Sequence, residues 1–423
     1  MAEAKKMSLS DVIKKELSKK IDQDTYLDLS KAREIDCVPT GSLIIDKVLG
    51  LDGIPRGRIT ELFGAESSGK TTVAMSVCLE AQKAGGTCAY LDFEQAFNVE
   101  YAMRMGIDLD PNKFALMQPN TFEEGWQICR DLVEKAQIDV LVIDSVSAMI
   151  PKKVLEAEVD AEAQIGILAR YMSRFMGDMV KKINQSQTAL ILINQLRSRI
   201  KSSPYDTGPD VDTTGGKALK FYSSIRMEFQ KKKTETVSMK NELDGTDIDQ
   251  PVAVTVSAIN RKNKIAIPYK KADFVIRLGN GIDNVRSVID IGVNLGLIQK
   301  GGGGMFWGRR DFPLKPDTEF MNDEGKIKGI ESLRAYVLKN PEMFEALIDR
   351  IYVPQDPEAI QRGKAEEVDI ESFANQAVEE ETKPKAKGKA AKKETKKKVD
   401  SAVKGVSQEL GFDSTDEEKV AIE

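Results

Sequence analysis

Residues 58–72 read RITELFGAESSGKTT, a short apolar strand that breaks at Gly64 into a small-residue turn and restarts after Gly69 as the helical stretch TTVAMSVCLEAQKAG. Strand, GxxxxGK[ST] turn and helix in that order form the phosphate-binding P-loop. Its chemistry follows from the residue types. Glycine lets backbone N–H groups curl around a phosphate at a helix N-terminus, a lysine supplies a mobile charge to the β- and γ-phosphates, and the following hydroxyl can ligate magnesium. Gly64, Glu66, Ser67, Ser68, Gly69, Lys70, Thr71 and Thr72 are therefore candidate nucleotide-binding residues, with Thr71 a candidate metal ligand.

Outward from this turn, short apolar runs (TCAYLDFE at 87–94, VLVIDS at 140–145, TALILINQ at 188–195) alternate with helical stretches such as FEEGWQICRDLVEKA at 122–136 and the segment 163–184. That alternation predicts stacked βαβ units, hence an α/β fold with a mainly parallel twisted sheet flanked by helices. A magnesium-dependent P-loop enzyme also needs a carboxylate on a neighbouring strand. Asp144 ends the strand VLVID and fits that role, and Glu94, just after the strand 88–91, is placed to orient an attacking water.

Further strands are expected at 224–230, 252–260 and 265–276, two of them forming a hairpin, with the core ending near Gly279. Between them SSPYDTGPDVDTTGG at 202–216 is rich in turn formers and reads as a long loop. Residues 285–353 read as a small α/β unit: a helix VRSVIDIGVNLG, a glycine-rich turn into MFWG, and a helix IESLRAYVLKN. The expected organisation is an N-terminal helix and arm over 1–36, with amphipathic LSDVIKKELSKK at 9–20, an ATPase core over 37–279, a small C-terminal domain over 280–353 and a flexible charged tail over 354–423. In that tail, residues 383–398 hold nine lysines against one glutamate.

Composition narrows the chemistry. Histidine is absent and the four cysteines form no CxxC pair, which removes the usual zinc-ligand sets and histidine acid–base catalysis. No apolar run approaches the ~20 residues of a membrane span, and the N-terminus carries no secretory pattern, so a cytoplasmic location is expected. A net charge of −5 excludes a uniformly basic DNA-coating protein and leaves any DNA contact to local patches.

GAESSGKTT, together with PTGSLIIDKVLG (39–50), LVIDSV (141–146), ILINQLR (191–197), TTGGKALKFY (213–222) and RKNKIAIPYK (261–270), resembles the RecA recombinases, in the family's order, with weaker similarity through 285–350. The resemblance implies an ATP-dependent, DNA-stimulated ATPase that forms a helical filament on single-stranded DNA and pairs it with homologous double-stranded DNA. ATP and Mg²⁺ would be the cofactors, and the partners would be DNA, further copies of the chain, and accessory single-strand-binding and loading proteins. It implies that Glu94 is the catalytic glutamate, that Tyr101 stacks on adenine and that Gln195 senses the γ-phosphate. Lys262 and Lys264 would reach a neighbouring subunit's ATP. DNA contacts would come from two loops, 156–170 and 197–216, through Ile165, Gly166, Arg170, Arg197, Gly215 and Gly216.

Several positions depart from the family pattern: Phe93 and Gln95 flank the glutamate where a small residue and a histidine are usual, and Asn98 replaces a purine-contacting aspartate. Gly177 replaces a DNA-contacting arginine and Lys217 a polar amide, the first loop is about one residue longer near 160–163, and the lysine-rich tail replaces an acidic one. Two other readings share the P-loop. One is a ring-helicase-like motor ATPase, disfavoured by the Lys262/Lys264 pair and the C-terminal unit; the other is a filament protein with weak, incidental ATPase activity.

Overall fold

The computed structural model describes residues 35–156, 166–198, 211–240 and 247–352. The expected N-terminal helix at 9–20, the lengthened part of the first loop with Ile165, most of the second loop and the lysine-rich tail lie outside the described residues.

One ten-stranded sheet organises the described residues around β3 (Ile59–Gly64). On one side of it come β7 (Ala189–Ser198), β6 (Val140–Asp144), β4 (Cys88–Asp92) and β5 (Phe114–Met117), all parallel. On the other side β9 (Ile225–Lys240) is parallel to β3, and β10 (Asp247–Asn263), β11 (Lys271–Arg277) and β12 (Gly281–Ile282) continue antiparallel. The expected mainly parallel α/β sheet is present, with an antiparallel wing.

The near-continuous apolar runs arise because both faces of the parallel part are covered. Along β6, Val140 and Val142 join one buried cluster while Leu141 and Ile143 join the other. Helix α2 (Lys70–Lys83) packs in the first cluster through Val73, Val77 and Cys78. Helices α4 (Phe122–Asp131) and α6 (Ile167–Ser186) cover the opposite face with Phe122, Phe175 and Met179. The cysteines are free thiols, and all but Cys37 are buried.

Three expectations need correction. The strand expected over 265–276 begins only at Lys271; before it Asn263 Oδ1 accepts the backbone N–H groups of Ile265 (2.8 Å) and Ala266 (2.8 Å), which turns the chain, and Ile267 is 72 % exposed. Within the stretch expected to be loop, β8 (Val211–Thr213) pairs antiparallel with Leu196, Arg197 and Ser198. The hairpin of β9 and β10 is also far longer than expected.

Residues 284–352 hold a separate three-stranded sheet (Ile298–Gly301, Met305–Gly308, Ile327–Lys328) and their own buried cluster. Helices Asn284–Asn294 and Ile330–Lys339 match the two expected, and a third, Pro341–Tyr352, was not anticipated. Asp283 ties this unit to the large sheet. Only 2 % of its side chain is exposed, and it accepts Arg277 Nε at 3.2 Å, Arg334 Nε at 2.6 Å and the backbone N–H of Arg286 at 3.1 Å. Among the described residues no helix is long and apolar enough to cross a membrane.

Candidate nucleotide and DNA site

β3 ends under a turn whose backbone is bent to face a ligand. Ser67 adopts φ +55° and Gly69 φ +86°, the left-handed region in which successive N–H groups make an anion-binding nest. A Cβ at Gly69 would lie 2.2 Å from Ile276 Cδ1, which would have to move aside, and the left-handed φ itself favours glycine there. Lys70, 7 % exposed, donates to the carbonyls of Gly64 (3.2 Å) and Ala65 (2.7 Å) and to Ser68 Oγ (3.4 Å). Burial pulls its pKa below the ordinary lysine value, and the carboxylates of Asp144, Glu94 and Glu66 oppose that shift.

Thr71 Oγ1 donates to Asp144 Oδ2 at 2.9 Å, which joins the two candidate metal ligands. The same oxygen accepts the Tyr90 hydroxyl at 2.5 Å. Burial raises the Asp144 carboxyl, the Tyr90 and Thr71 hydrogen bonds lower it, and the charges of Glu94 and Asp92 raise it further. Glu94 lies in the same cluster: its Oε1 accepts Ser145 Oγ and, at 2.8 Å, Gln195 Nε2. The structure thus brings together Lys70, Thr71, Asp144, Glu94 and Gln195 from four separate segments of the chain.

A cavity of about 320 Å³ opens beside the turn. One wall is the expected one, Ser67 to Thr72 and Tyr101, with the Thr72 and Tyr101 hydroxyls 3.0 Å apart. The other wall, Val254 and Val256 of β10 with Ile276, Leu278 and Gly279 at the end of β11, was not found from sequence. Those residues lie about 180 to 210 positions beyond the turn, and only a strand order that sets β9 to β11 beside β3 brings them there.

Two departures from the family pattern find a physical account. Phe93 turns into the apolar cluster under the sheet, its ring against Gly125, where a Cβ would meet Phe93 Cζ at 2.3 Å. Asn98 caps the helix Val99–Met105 by accepting the Tyr101 N–H at 2.8 Å.

Lys262 and Lys264 are not brought to their own chain's turn. Lys262 Nζ donates to the carbonyls of Lys220 and Phe221 (3.3 Å) and Lys264 Nζ to that of Phe221 (2.7 Å), at the C-terminal end of α7 (Gly216–Tyr222). The Lys264 backbone bonds Ser224, which bonds Ile59 at the start of β3, whereas the turn begins at Gly64. Five residue steps of strand, roughly 17 Å, separate the two ends. Burial, then the charges of Lys264 and Arg226, depress the Lys262 pKa.

Of the residues expected at DNA, Gly166 and Arg170 are exposed at the start of α6, and Arg197 is exposed on β7. Gly215 and Gly216 open α7, with Gly216 abutting Ala169 of α6. At Thr213 and Thr214, the described end of the second loop, runs a buried polar network that sequence reasoning also missed. Glu61, fully buried on β3, accepts Arg226 Nε and, at 3.0 Å, Asn194 Nδ2; the same amide reaches Thr214 O at 2.8 Å, and Arg226 Nη2 reaches Thr213 Oγ1 at 3.2 Å. The Arg226 guanidinium also lies 4.6 Å over the Phe63 ring. Breaking a buried pair strands one charge, so Glu61→Gln is expected to lower stability by about 3 kcal/mol. An unchanged urea midpoint would show that Arg226 is satisfied without the carboxylate.

Residues 7–283 match the sequence model of the family described as the RecA N-terminal domain. The chain is 38 % identical over 317 residues to the RecA protein of Clostridium novyi, covering 75 % of this chain and 82 % of that protein. It is 40 % identical over 319 residues to that of Chloroflexus aurantiacus (74 % and 86 % covered) and 37 % identical over 323 residues to that of Acidiphilium cryptum (76 % and 85 %). With the P-loop, its partner carboxylates and the mixed sheet in place, these matches mean that the chain belongs to the RecA family of ATP-dependent DNA recombinases.

Proposed function

We propose that the chain polymerises on single-stranded DNA with ATP bound between successive subunits, and that the filament pairs its strand with a homologous duplex in the cytoplasm. The observation that carries this reading is the position of Lys264, roughly 17 Å along β3 from its own P-loop, with the Lys262 ammonium turned to the same α7 carbonyls. Cations so placed serve a phosphate only when a second copy supplies it. Head-to-tail contact of this kind propagates into a helical filament unless it closes into a ring.

Within one subunit, Lys70 and the backbone of Gly64 to Thr72 would bind the phosphates, and Tyr101 with Val254, Val256 and Ile276 would enclose the base. The residues fit magnesium: a hydroxyl and a carboxylate already paired at 2.9 Å are hard oxygen donors, and an ion that takes its other ligands from phosphates and water needs no larger protein cluster. Bound magnesium would supply charge neutralisation across the β- and γ-phosphates. Glu94 would orient the attacking water. Gln195 holds Glu94 at 2.8 Å, so an amide drawn toward a γ-phosphate would release the glutamate and shift the start of the second DNA loop together.

Gly166, Arg170, Arg197, Gly215, Gly216 and Ile165 are the residues we assign to the DNA backbone and bases, with arginine neutralising phosphates and glycine permitting close approach. Base pairing, not protein contact, would test homology. Single-strand-binding and loading proteins are the accessory partners this reading admits.

Measuring ATP hydrolysis with and without homopolymeric single-stranded DNA, across protein concentrations and with electron microscopy of the same samples, tests the whole reading. Cooperative stimulation accompanied by helical filaments is expected. Closed rings alone would favour a motor ATPase, and filaments without stimulation a protein whose hydrolysis is incidental.

A further inference from the structure

Tyr90 lies in the middle of β4, opposite Val142 of β6, so that its side chain shares a face with Asp144 two residues further on. Its ring is packed edge-on to Phe97 (5.0 Å between centroids) and near Phe114 (6.4 Å), and 1 % of the residue is exposed. Phenylalanine would fill that aromatic cluster equally well. The hydroxyl makes one hydrogen bond among the described residues, 2.5 Å to Asp144 Oδ2, the oxygen that also takes Thr71 Oγ1 at 2.9 Å.

A carboxylate held by one flexible hydroxyl can swing about its own bond. Held on the same oxygen by a second donor whose ring is locked in the core, it cannot. Oδ1, to which no described residue donates, is thereby kept as the open oxygen of the group. We propose that Tyr90 is a positioning residue of the magnesium site, fixing Asp144 through its hydroxyl so that Thr71 and Asp144 meet the metal without rearrangement. This rests on the reading that Asp144 and Thr71 serve magnesium. Groups that orient a metal's partners in this way are commonly worth ~10-fold or more in metal affinity.

The test is binding of a fluorescent, slowly hydrolysed ATP analogue to the full chain, titrated with magnesium chloride and repeated in EDTA. Tyr90→Phe is expected to raise the magnesium concentration for half-maximal tightening ~10-fold while leaving analogue affinity in EDTA unchanged. Tyr336→Phe is the control. It removes another buried tyrosine hydroxyl, one that donates to Lys315 O at 3.0 Å in the C-terminal unit, and it should lower the melting temperature without moving the magnesium midpoint. A Tyr90→Phe midpoint within twofold of the unmodified chain overturns the proposal, as does an equal loss of affinity in EDTA, which would mean that the hydroxyl shapes the nucleotide pocket instead. If the unmodified chain binds the analogue equally with and without magnesium, the magnesium reading itself fails, and the role of Tyr90 fails with it.

Discussion

Lys70→Ala is expected to lower ATP turnover about 10³-fold and to abolish strand exchange, because among the described residues no other cation is seen at the turn. Lys70 Nζ sits inside the loop, on the carbonyls of Gly64 and Ala65, with its charge shielded from water by burial and balanced only by Asp144, Glu94 and Glu66. A phosphate entering the nest replaces those carbonyls as the partner of a charge already desolvated. Removing one such preorganised donor typically costs 10²–10³ in rate, and a full charge facing phosphates belongs at the upper end. The fold should survive, since Asp144 keeps the Tyr90 and Thr71 hydroxyls and Glu94 keeps Ser145 and Gln195 as hydrogen-bond partners, and the buried helix packing through Val73 and Val77 is untouched. Turnover assays and joint-molecule formation between single-stranded and duplex DNA check this directly. Normal strand exchange by the variant would remove Lys70 from the mechanism.

What the sequence discloses divides by physical distance along the chain. The turn itself is local chemistry, readable because strand, glycine spacing, lysine and helix are contiguous. Asp144 is readable because a carboxylate ending VLVID, a run apolar on both faces, marks the end of a central strand. Glu94 is readable as a carboxylate just after a strand and Gln195 only through the family resemblance, and the structure adds that they touch although β6 lies between their strands. The far wall of the cavity was hidden because strand order is a tertiary fact: nothing in the spacing of Val254, Val256 and Ile276 announces that β10 and β11 follow β9 beside β3.

The misread strand at 265–276 has another cause. Ile265, Ile267 and the residues after them alternate as a strand would, but the Asn263 side chain and Pro268 fold the segment into a turn that leaves Ile267 and Tyr269 in solvent. The helix Pro341–Tyr352 was legible and passed over, since proline at a first helical position followed by amphipathic EMFEALIDRIY is a standard start. Tyr90 and the pairing of Glu61 with Arg226 depend on cross-strand register, which periodicity alone does not give.

Lys262→Ala should separate binding from hydrolysis. In the isolated subunit the ammonium caps the carbonyls that end α7, a contact whose loss costs at most ~1 kcal/mol, and it stands at the far end of β3 from the P-loop. Nucleotide affinity of dilute subunits is therefore expected to stay within a factor of two. DNA-stimulated turnover is expected to fall on the order of 10³-fold, the scale on which a cation supplied in trans stabilises a transferring phosphoryl group. The geometry then predicts an outcome that a same-chain role cannot produce. Lys70→Ala subunits keep an intact Lys262, and Lys262→Ala subunits keep an intact P-loop, so an equal mixture assembled on single-stranded DNA rebuilds complete sites wherever a Lys70→Ala subunit presents its Lys262 to the P-loop of a Lys262→Ala neighbour. Random head-to-tail mixing makes such sites about a quarter of the total, so turnover should recover to about that fraction of the unmodified filament. Two inactive proteins that stay inactive when mixed would place Lys262 in its own subunit's chemistry, or outside the chemistry altogether.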